Sequence, residues 1–256
     1  MAVVNGGRLK QIMASGRAVL GGTVSVPCPA TAEVLGYCGF DFLFVDMEHT
    51  SIGTRDLEEI CRAAEPTGAV TIARLPDSNQ STILKNLDVG PGGIQVPHVE
   101  SREEVQDIVR SARYYPVGMR GMSAPRSSRY GLDLPDYYRW ANDETLLVVM
   151  IESKEAVAKA DEICSVPGID VVFVGTSDLS QSLGIPGQTN HRMVHDALDV
   201  VLAACRKAGI FAGTVARNAQ EARELTDRGF RYLQLPSDMR FILDAGRAMV
   251  REIRGA

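Results

Sequence analysis

With 256 residues, 45% of them hydrophobic, the chain can bury a sizeable core, and its length suits a single α/β barrel. A formal net charge of −5, with no basic block, argues against nucleic acid as a partner. No run approaches the ~18 apolar residues of a membrane span, and charges within residues 1–22 interrupt the apolar core that a signal peptide needs.

The five cysteines (28, 38, 61, 164 and 205) are odd in number, scattered and free of any Cys-x-x-Cys pair. That usage suits a reducing compartment, so the expected setting is the cytoplasm.

In chain order, residues 9–15 are amphipathic and predict a short lead-in helix closed by Gly16. A first strand is expected over 19–26, broken by Pro27 and Pro29, then a helix over 30–37. The second strand, 42–46, leads to the polar cluster Asp46-Met47-Glu48-His49 at its carboxyl end. A helix over 55–64 stops at Glu65-Pro66. The third strand, 70–73, is tipped by Arg74, and a helix over 80–87 ends on Asp88. A short strand, 94–96, and a helix, 102–112, come next. Residues 113–138, rich in Arg, Pro, Gly and Ser, predict a long loop, the kind that is usually functional or part of an interface.

Residues 146–151 and 171–174 are short, β-branched and almost uninterrupted in apolar character. Strands of a parallel sheet read this way when both faces are covered. The first run ends on Glu152. The second ends in Gly175-Thr176-Ser177-Asp178, after which residues 179–183 open a helix. A helix over 191–208, a strand over 211–215, a helix over 219–228 and a strand over 232–235 follow, and a helix over 239–254 closes the chain. Eight strands alternating with helices predict a (β/α)8 TIM barrel, one domain over residues 1–256. A doubly wound open sheet is the runner-up, but no Gly-rich dinucleotide fingerprint follows the first strand.

Barrel active sites assemble where the strands end. That inventory holds Asp46, Glu48, His49, Arg74, Pro97, His98, Glu152, Asp178, Val215, Ser237 and Asp238. Crowded carboxylates repel and must desolvate unless a cation compensates them. Glu152 and Asp178, on neighbouring strands, are the candidate ligands of a divalent metal. Two carboxylates leave four octahedral positions for water and a chelating substrate, an arrangement typical of Mg²⁺ or Mn²⁺. The plainer alternative is that Glu152 caps the next helix or pairs with Lys154, and that Asp178 is an N-cap.

His49 is the best candidate general base, against the alternative of a surface histidine in a loop. His191 and His195 share a solvated helix and are read as structural; His98 is read as a packing or loop residue. Arg74, at the end of an apolar strand, needs an anionic partner, either a substrate oxygen or the acids beside it. The turn Gly175–Asp178 offers backbone N–H groups to a substrate carboxylate. None of the five lysines sits plainly in a barrel strand, which disfavours a Schiff base.

Several stretches together resemble one family. They are Gly39-Phe40-Asp41 leading to Asp46-Met47-Glu48-His49; Arg74 followed by Leu87-Asp88-Val89-Gly90; Arg113-Tyr114-Tyr115-Pro116; and Gly118-Met119-Arg120-Gly121. Ile151-Glu152-Ser153 and Gly168-Ile169-Asp170 through Phe173-Val174-Gly175-Thr176-Ser177-Asp178-Leu179-Ser180 complete the set. Over nearly its whole length the chain is similar to the HpcH/HpaI class II aldolases, in particular the 4-hydroxy-2-oxoheptanedioate and 2-keto-3-deoxyglucarate aldolase branch.

The resemblance implies a metal-dependent barrel lyase that reversibly cleaves 4-hydroxy-2-oxo acids to pyruvate and an aldehyde. It implies Glu152 and Asp178 as ligands of Mg²⁺, Mn²⁺ or Co²⁺, with pyruvate chelating the ion. Arg74 would steady the enolate oxygen. His49, oriented by Asp88, would be the base, and Asp46 and Glu48 would orient waters. Gly175, Thr176 and Ser177 would hold the substrate carboxylate, and Val215 would shape the aldehyde pocket. It also implies a homo-oligomer, a hexamer built as a trimer of dimers that exchange the last helix, a role the amphipathic run 241–253 suits. Met47, Met150 and Thr176-Ser177 depart from the family's usual Gly, Gln and Pro-Ala. Two other readings are a decarboxylase of oxaloacetate-type diacids working through the same enolate, and a non-catalytic barrel sensor or scaffold. The presence of both Glu152 and Asp178 weighs against the last.

Overall fold

Eight parallel strands close on themselves in the computed structural model, which describes residues 5–132, 134 and 136–255. Residues 1–4, where the stretch weighed as a signal peptide and the expected domain begin, lie outside the described residues. So do positions 133, 135 and 256.

The first half of the barrel alternates α1 (Gly6–Ala14), β1 (Val19–Val24), α2 (Pro29–Tyr37), β2 (Phe42–Asp46) and α3 (Thr54–Ala64). It continues through β3 (Val70–Arg74), α4 (Gln80–Asp88), β4 (Gly93–Val96), α5 (Arg102–Ala112) and α6 (Asp136–Glu144). The second half runs β5 (Leu146–Ile151), α7 (Lys154–Ala158), α8 (Ala160–Cys164), β6 (Val171–Val174) and α9 (Thr176–Ser182). It ends with α10 (Arg192–Ala208), β7 (Phe211–Val215), α11 (Ala219–Arg228), β8 (Tyr232–Ser237) and α12 (Asp238–Arg254). Val19 of β1 pairs with Tyr232 of β8. That pairing closes the ring and excludes the open doubly wound sheet.

The unbroken apolar strands now have a cause. Every residue of β5 is buried. Val148 and Met150 pack into the lumen, while Leu147, Val149 and Ile151 pack outward under the helices. With both faces covered, the usual alternation of polar and apolar residues disappears. The lumen is filled by large side chains, with Phe42 stacked on Tyr232 at 4.4 Å between ring centroids. Gly213 makes room for Tyr232, since a Cβ there would come within 2.8 Å of its ring. Each large apolar side chain fully buried in this way contributes roughly 1.5–3 kcal/mol.

Helices start close to strand ends because short polar residues cap them. The Ser101, Ser153, Asn218 and Ser237 side chains each accept a backbone N–H from the first turn of α5, α7, α11 and α12. The helices that cover the barrel, α5, α7 and α11 among them, run back antiparallel to the strands before them. Strand carboxyl ends and helix N-termini therefore share the mouth, and helix C-termini lie at the opposite end.

The structure departs from the predicted elements in a few places. β1 stops at Val24 because the N–H groups of Ser25 and Val26 turn to the Asp238 carboxylate, at 3.2 and 3.3 Å. Asp238, counted among the mouth acids, is thereby a tie between β1 and α12. α9 begins at Thr176; Leu179 is its first buried residue rather than its first residue. His191 is an N-cap whose Nδ1 accepts the Met193 N–H. The stretch 113–138 is not plain loop. It holds a helical turn over Arg126–Gly131 and the start of α6, and buried Arg113, Arg120 and Arg126 pin it down. No described helix is long and apolar enough to cross a membrane.

Candidate active site

β2 and β3 end side by side, with Asp46 in register with Arg74. The Arg74 guanidinium grips Asp46 in a fork, Nε to Oδ1 at 3.0 Å and Nη2 to Oδ2 at 2.7 Å. Its third nitrogen, Nη1, lies 3.2 Å from Glu48 Oε2. Planar, two-point pairing of this kind holds a nearly buried guanidinium in one orientation. Asp46 Oδ1 also accepts the backbone N–H groups of Glu48 and His49. Burial opposes ionisation of Asp46. The Arg74 hydrogen bonds and charge, with those two amides, outweigh it and hold the carboxyl below its usual range. The tight turn so formed aims His49 outward, with its ring 60% exposed.

Across the mouth, Glu152 follows β5 directly and is buried, only 4% exposed. His98, just past β4, adopts a left-handed backbone with φ +55°. That conformation is unusual outside glycine and costs energy, so it persists only where surrounding contacts enforce it. Here it points the His98 N–H at Glu152 Oε2, 3.0 Å away. The imidazole then spans the two acids, with Nδ1 3.3 Å from Glu152 Oε2 and Nε2 3.0 Å from Glu48 Oε1. His98, read from sequence as a packing or loop residue, is instead the bridge between the two sides of the mouth. Its signal in the sequence was its place directly after a strand and Pro97.

Burial pushes the Glu152 carboxyl above its usual range, and the charges of Asp178 and Glu48 push it the same way, against the His98 contacts. Asp178, in the first turn of α9, is thus close enough to Glu152 to act on it electrostatically. Gly175 lets the two strands meet here: a Cβ at that position would run into Glu152 Oε1. Thr176 is half-buried and Ser177 exposed at the start of the same helix, and half-buried Val215 ends β7 beside them.

One expected partnership is absent. Asp88 does not orient His49 within this chain; its Oδ1 accepts Arg120 Nη2 at 2.7 Å. The reason is geometric. Asp88 is the last residue of a helix that runs away from the mouth, so it lies at the far end of the barrel. The carboxylate beside His49 is Glu48, with Oε2 3.8 Å from Nε2.

The donor set suits a hard divalent cation. Glu152 is buried and feels the charge of Asp178, both are carboxylates of the hard oxygen type such ions take, and Arg74 directs its own donors at Asp46 and Glu48. Among the described residues, no three His, Cys, Asp or Glu side chains are arranged to hold an ion by themselves. Water and substrate oxygens would have to complete the coordination. All five lysines lie outside the eight strands.

A closed eight-stranded α/β barrel with an acid-rich mouth at its carboxyl face is the framework of a barrel enzyme. Comparison with known proteins narrows the class. The profile of the HpcH/HpaI aldolase/citrate lyase family matches residues 24–245, and the chain belongs to that family. It is 34% identical to a 2-dehydro-3,6-dideoxy-6-sulfogluconate aldolase of Pseudomonas putida over 88% of this chain and 89% of that one. A hydroxypyruvate/pyruvate aldolase of Paraburkholderia phytofirmans is also 34% identical, covering 90% and 91%. An HpcH/HpaI aldolase/citrate lyase family protein of Burkholderia cenocepacia superposes with a TM-score of 0.92 at 30% identity, over 97% and 99% of the two chains. The protein is an enzyme of the lyase class, an aldolase.

Proposed function

We propose that this aldolase is divalent-metal-dependent and cleaves a 4-hydroxy-2-oxo acid to pyruvate and an aldehyde, reversibly. The observation that carries the reading is buried Glu152, paired electrostatically with Asp178 and facing the Arg74–Asp46–Glu48 group across His98. Glu152 and Asp178 would hold Mg²⁺, Mn²⁺ or Co²⁺. When bound, such an ion supplies Lewis-acid polarisation of the keto oxygen.

The chain's own residues account for the rest. His49 Nε2 takes the proton from the 4-hydroxyl as the C3–C4 bond breaks, and the oxygen left behind becomes the aldehyde carbonyl. The electron pair stays with the pyruvate half as an enolate, whose charge the Arg74 guanidinium balances. A proton returned to C3 completes pyruvate. Asp46 holds Arg74 in place through the fork and fixes the turn that carries His49, and Glu48 faces both histidines. The N-terminal turn at Gly175, Thr176 and Ser177 holds the substrate carboxylate, and Val215 borders the aldehyde.

The proposal extends to assembly. Every residue from Met239 to Gly255 is exposed, including Phe241, Ile242, Met249, Val250 and Ile253. An apolar helix face of this size without cover in its own chain supports exchange of α12 between two copies, within a hexamer made of such dimers. The five free thiols suit the cytoplasm.

Pyruvate release from a 4-hydroxy-2-oxo acid, measured with and without EDTA, tests the reading. Activity is expected to vanish on chelation and return with added metal. Turnover that survives full chelation would overturn the metal role, and release of CO₂ from oxaloacetate alone would favour a decarboxylase.

A further inference from the structure

Behind β6, in the layer between barrel and helices, two cysteine side chains touch. Cys164 is the last residue of α8, which leads into β6, and Cys205 lies near the end of α10, which follows it. Both are buried, and their sulfurs are 3.7 Å apart, a hydrogen-bonded separation for two thiols. The Cys205 thiol is pushed well above its ordinary pKa, first by that hydrogen bond and then by burial. Cys205 therefore keeps its proton and acts as the donor, with the Cys164 sulfur as acceptor.

A cavity of about 470 Å³ opens beside the pair, at the end of the barrel opposite the mouth. Cys164 lines it, among the small residues Ser165, Gly168, Ala204 and Ala208, whereas Cys205 lies behind Cys164. A small oxidant entering there meets Cys164 first.

We propose that Cys164 and Cys205 form an oxidation site, closed to a disulfide by a hydroperoxide and reopened by a thiol reductant. A single buried thiol is inert. Here a second thiol stands in contact with the first, as hydrogen-bond donor before the reaction and as resolving group after it. The Cys164 sulfur gives up its proton and attacks a peroxide oxygen. The O–O bond breaks, and the leaving oxygen takes the proton and departs as water or an alcohol, so that Cys164 becomes a sulfenic acid. The Cys205 sulfur then attacks the Cys164 sulfur. The S–O bond breaks, and the hydroxide leaves with the Cys205 proton as a second water. The two thiols lose two electrons and the peroxide gains them.

The new bond would join positions 41 residues apart and tie α8 to α10 on the two sides of β6. Closing a loop of that length restricts the unfolded chain. Placed away from the mouth, the link acts on stability.

The test exposes folded wild-type enzyme to hydrogen peroxide, raised until exposed Cys38 is oxidised, then removes the excess with catalase and maps the cysteines after alkylation in denaturant. A cross-linked pair of peptides carrying Cys164 and Cys205 is expected. With it the melting temperature rises by up to about 10 °C, and dithiothreitol reverses both changes. Cys205→Ala removes the resolving thiol, so Cys164 sulfenic acid accumulates and takes dimedone about tenfold more than Cys205 does in Cys164→Ala. Oxidised Cys38 beside fully alkylated Cys164 and Cys205 overturns the inference. So does a cross-link that forms only in denaturant, or one that leaves the melting temperature unmoved or lower. If either variant fails to fold, the wild-type map alone decides.

Discussion

The two ends of the barrel carry similar charged residues and use them oppositely. At the far end, Arg113 is buried and spends its guanidinium on the carbonyls of Asn142, Thr145 and Gly168 and on Asp170, at 2.7–2.9 Å. Asp170 also accepts the Leu147 N–H and pairs with Lys10. Burial lowers the Lys10 pKa in spite of that partner. Nearly every donor there meets an acceptor fixed by the backbone, so the cluster closes the barrel floor. At the mouth, the acids face half-exposed imidazoles, and Glu152 is held in a setting that disfavours its charge. A charge cluster whose members satisfy one another is structural. A cluster that leaves a buried carboxylate raised and two imidazoles open to solvent can do chemistry.

That contrast can be broken by substitution. The largest effect is expected at the mouth: Glu152→Gln should reduce pyruvate release to background while leaving the melting temperature unchanged or higher, because a neutral amide suits the buried site better. A melting temperature that falls with the activity would make Glu152 a structural residue. Next, His49→Asn should slow turnover ~10²–10⁴-fold, the usual worth of a general base, with metal binding by calorimetry preserved. Loss of metal affinity in that variant would move His49 out of the base role.

At the far end the order reverses. Arg113→Ala should cost roughly 3–5 kcal/mol of stability, as breaking a buried pair does, while activity per folded molecule persists in denaturant-free buffer. The smallest effect sharpens the comparison by pH. Asp46 has a folded-state pKa below its ordinary range, so its stabilisation is present near neutrality and above. It is lost as pH falls through the lowered value. Asp46→Asn should therefore reduce the denaturation midpoint at neutral pH and converge on the wild type in acid; a constant offset at all pH would mean that the charge of Asp46 contributes nothing.

Strands and rim residues are legible in the sequence where one local signal suffices. β2, β5, β6 and β7 coincide with their apolar runs, and Asp46, Arg74 and Glu152 sit at strand ends because each ends or follows such a run by at most one residue. Local signals say less where a residue's surroundings come from chain direction or from a remote partner. Asp88, expected beside His49, stands within this chain at the far end, as the C-terminus of a βα helix does, and accepts Arg120 there. His98 reads locally as a loop residue because its partners stand 50 and 54 residues away.

Apolar periodicity and length by themselves determined the barrel, the order of its elements and which acids would stand at its rim, since those depend on the burial of short contiguous segments. Only ring closure decided which side chains met: the left-handed turn that sets His98 between Glu48 and Glu152, and the Asp238 tie that shortens β1. These features depend on distances between strands far apart in the chain, and such distances exist only once the last strand has hydrogen-bonded to the first.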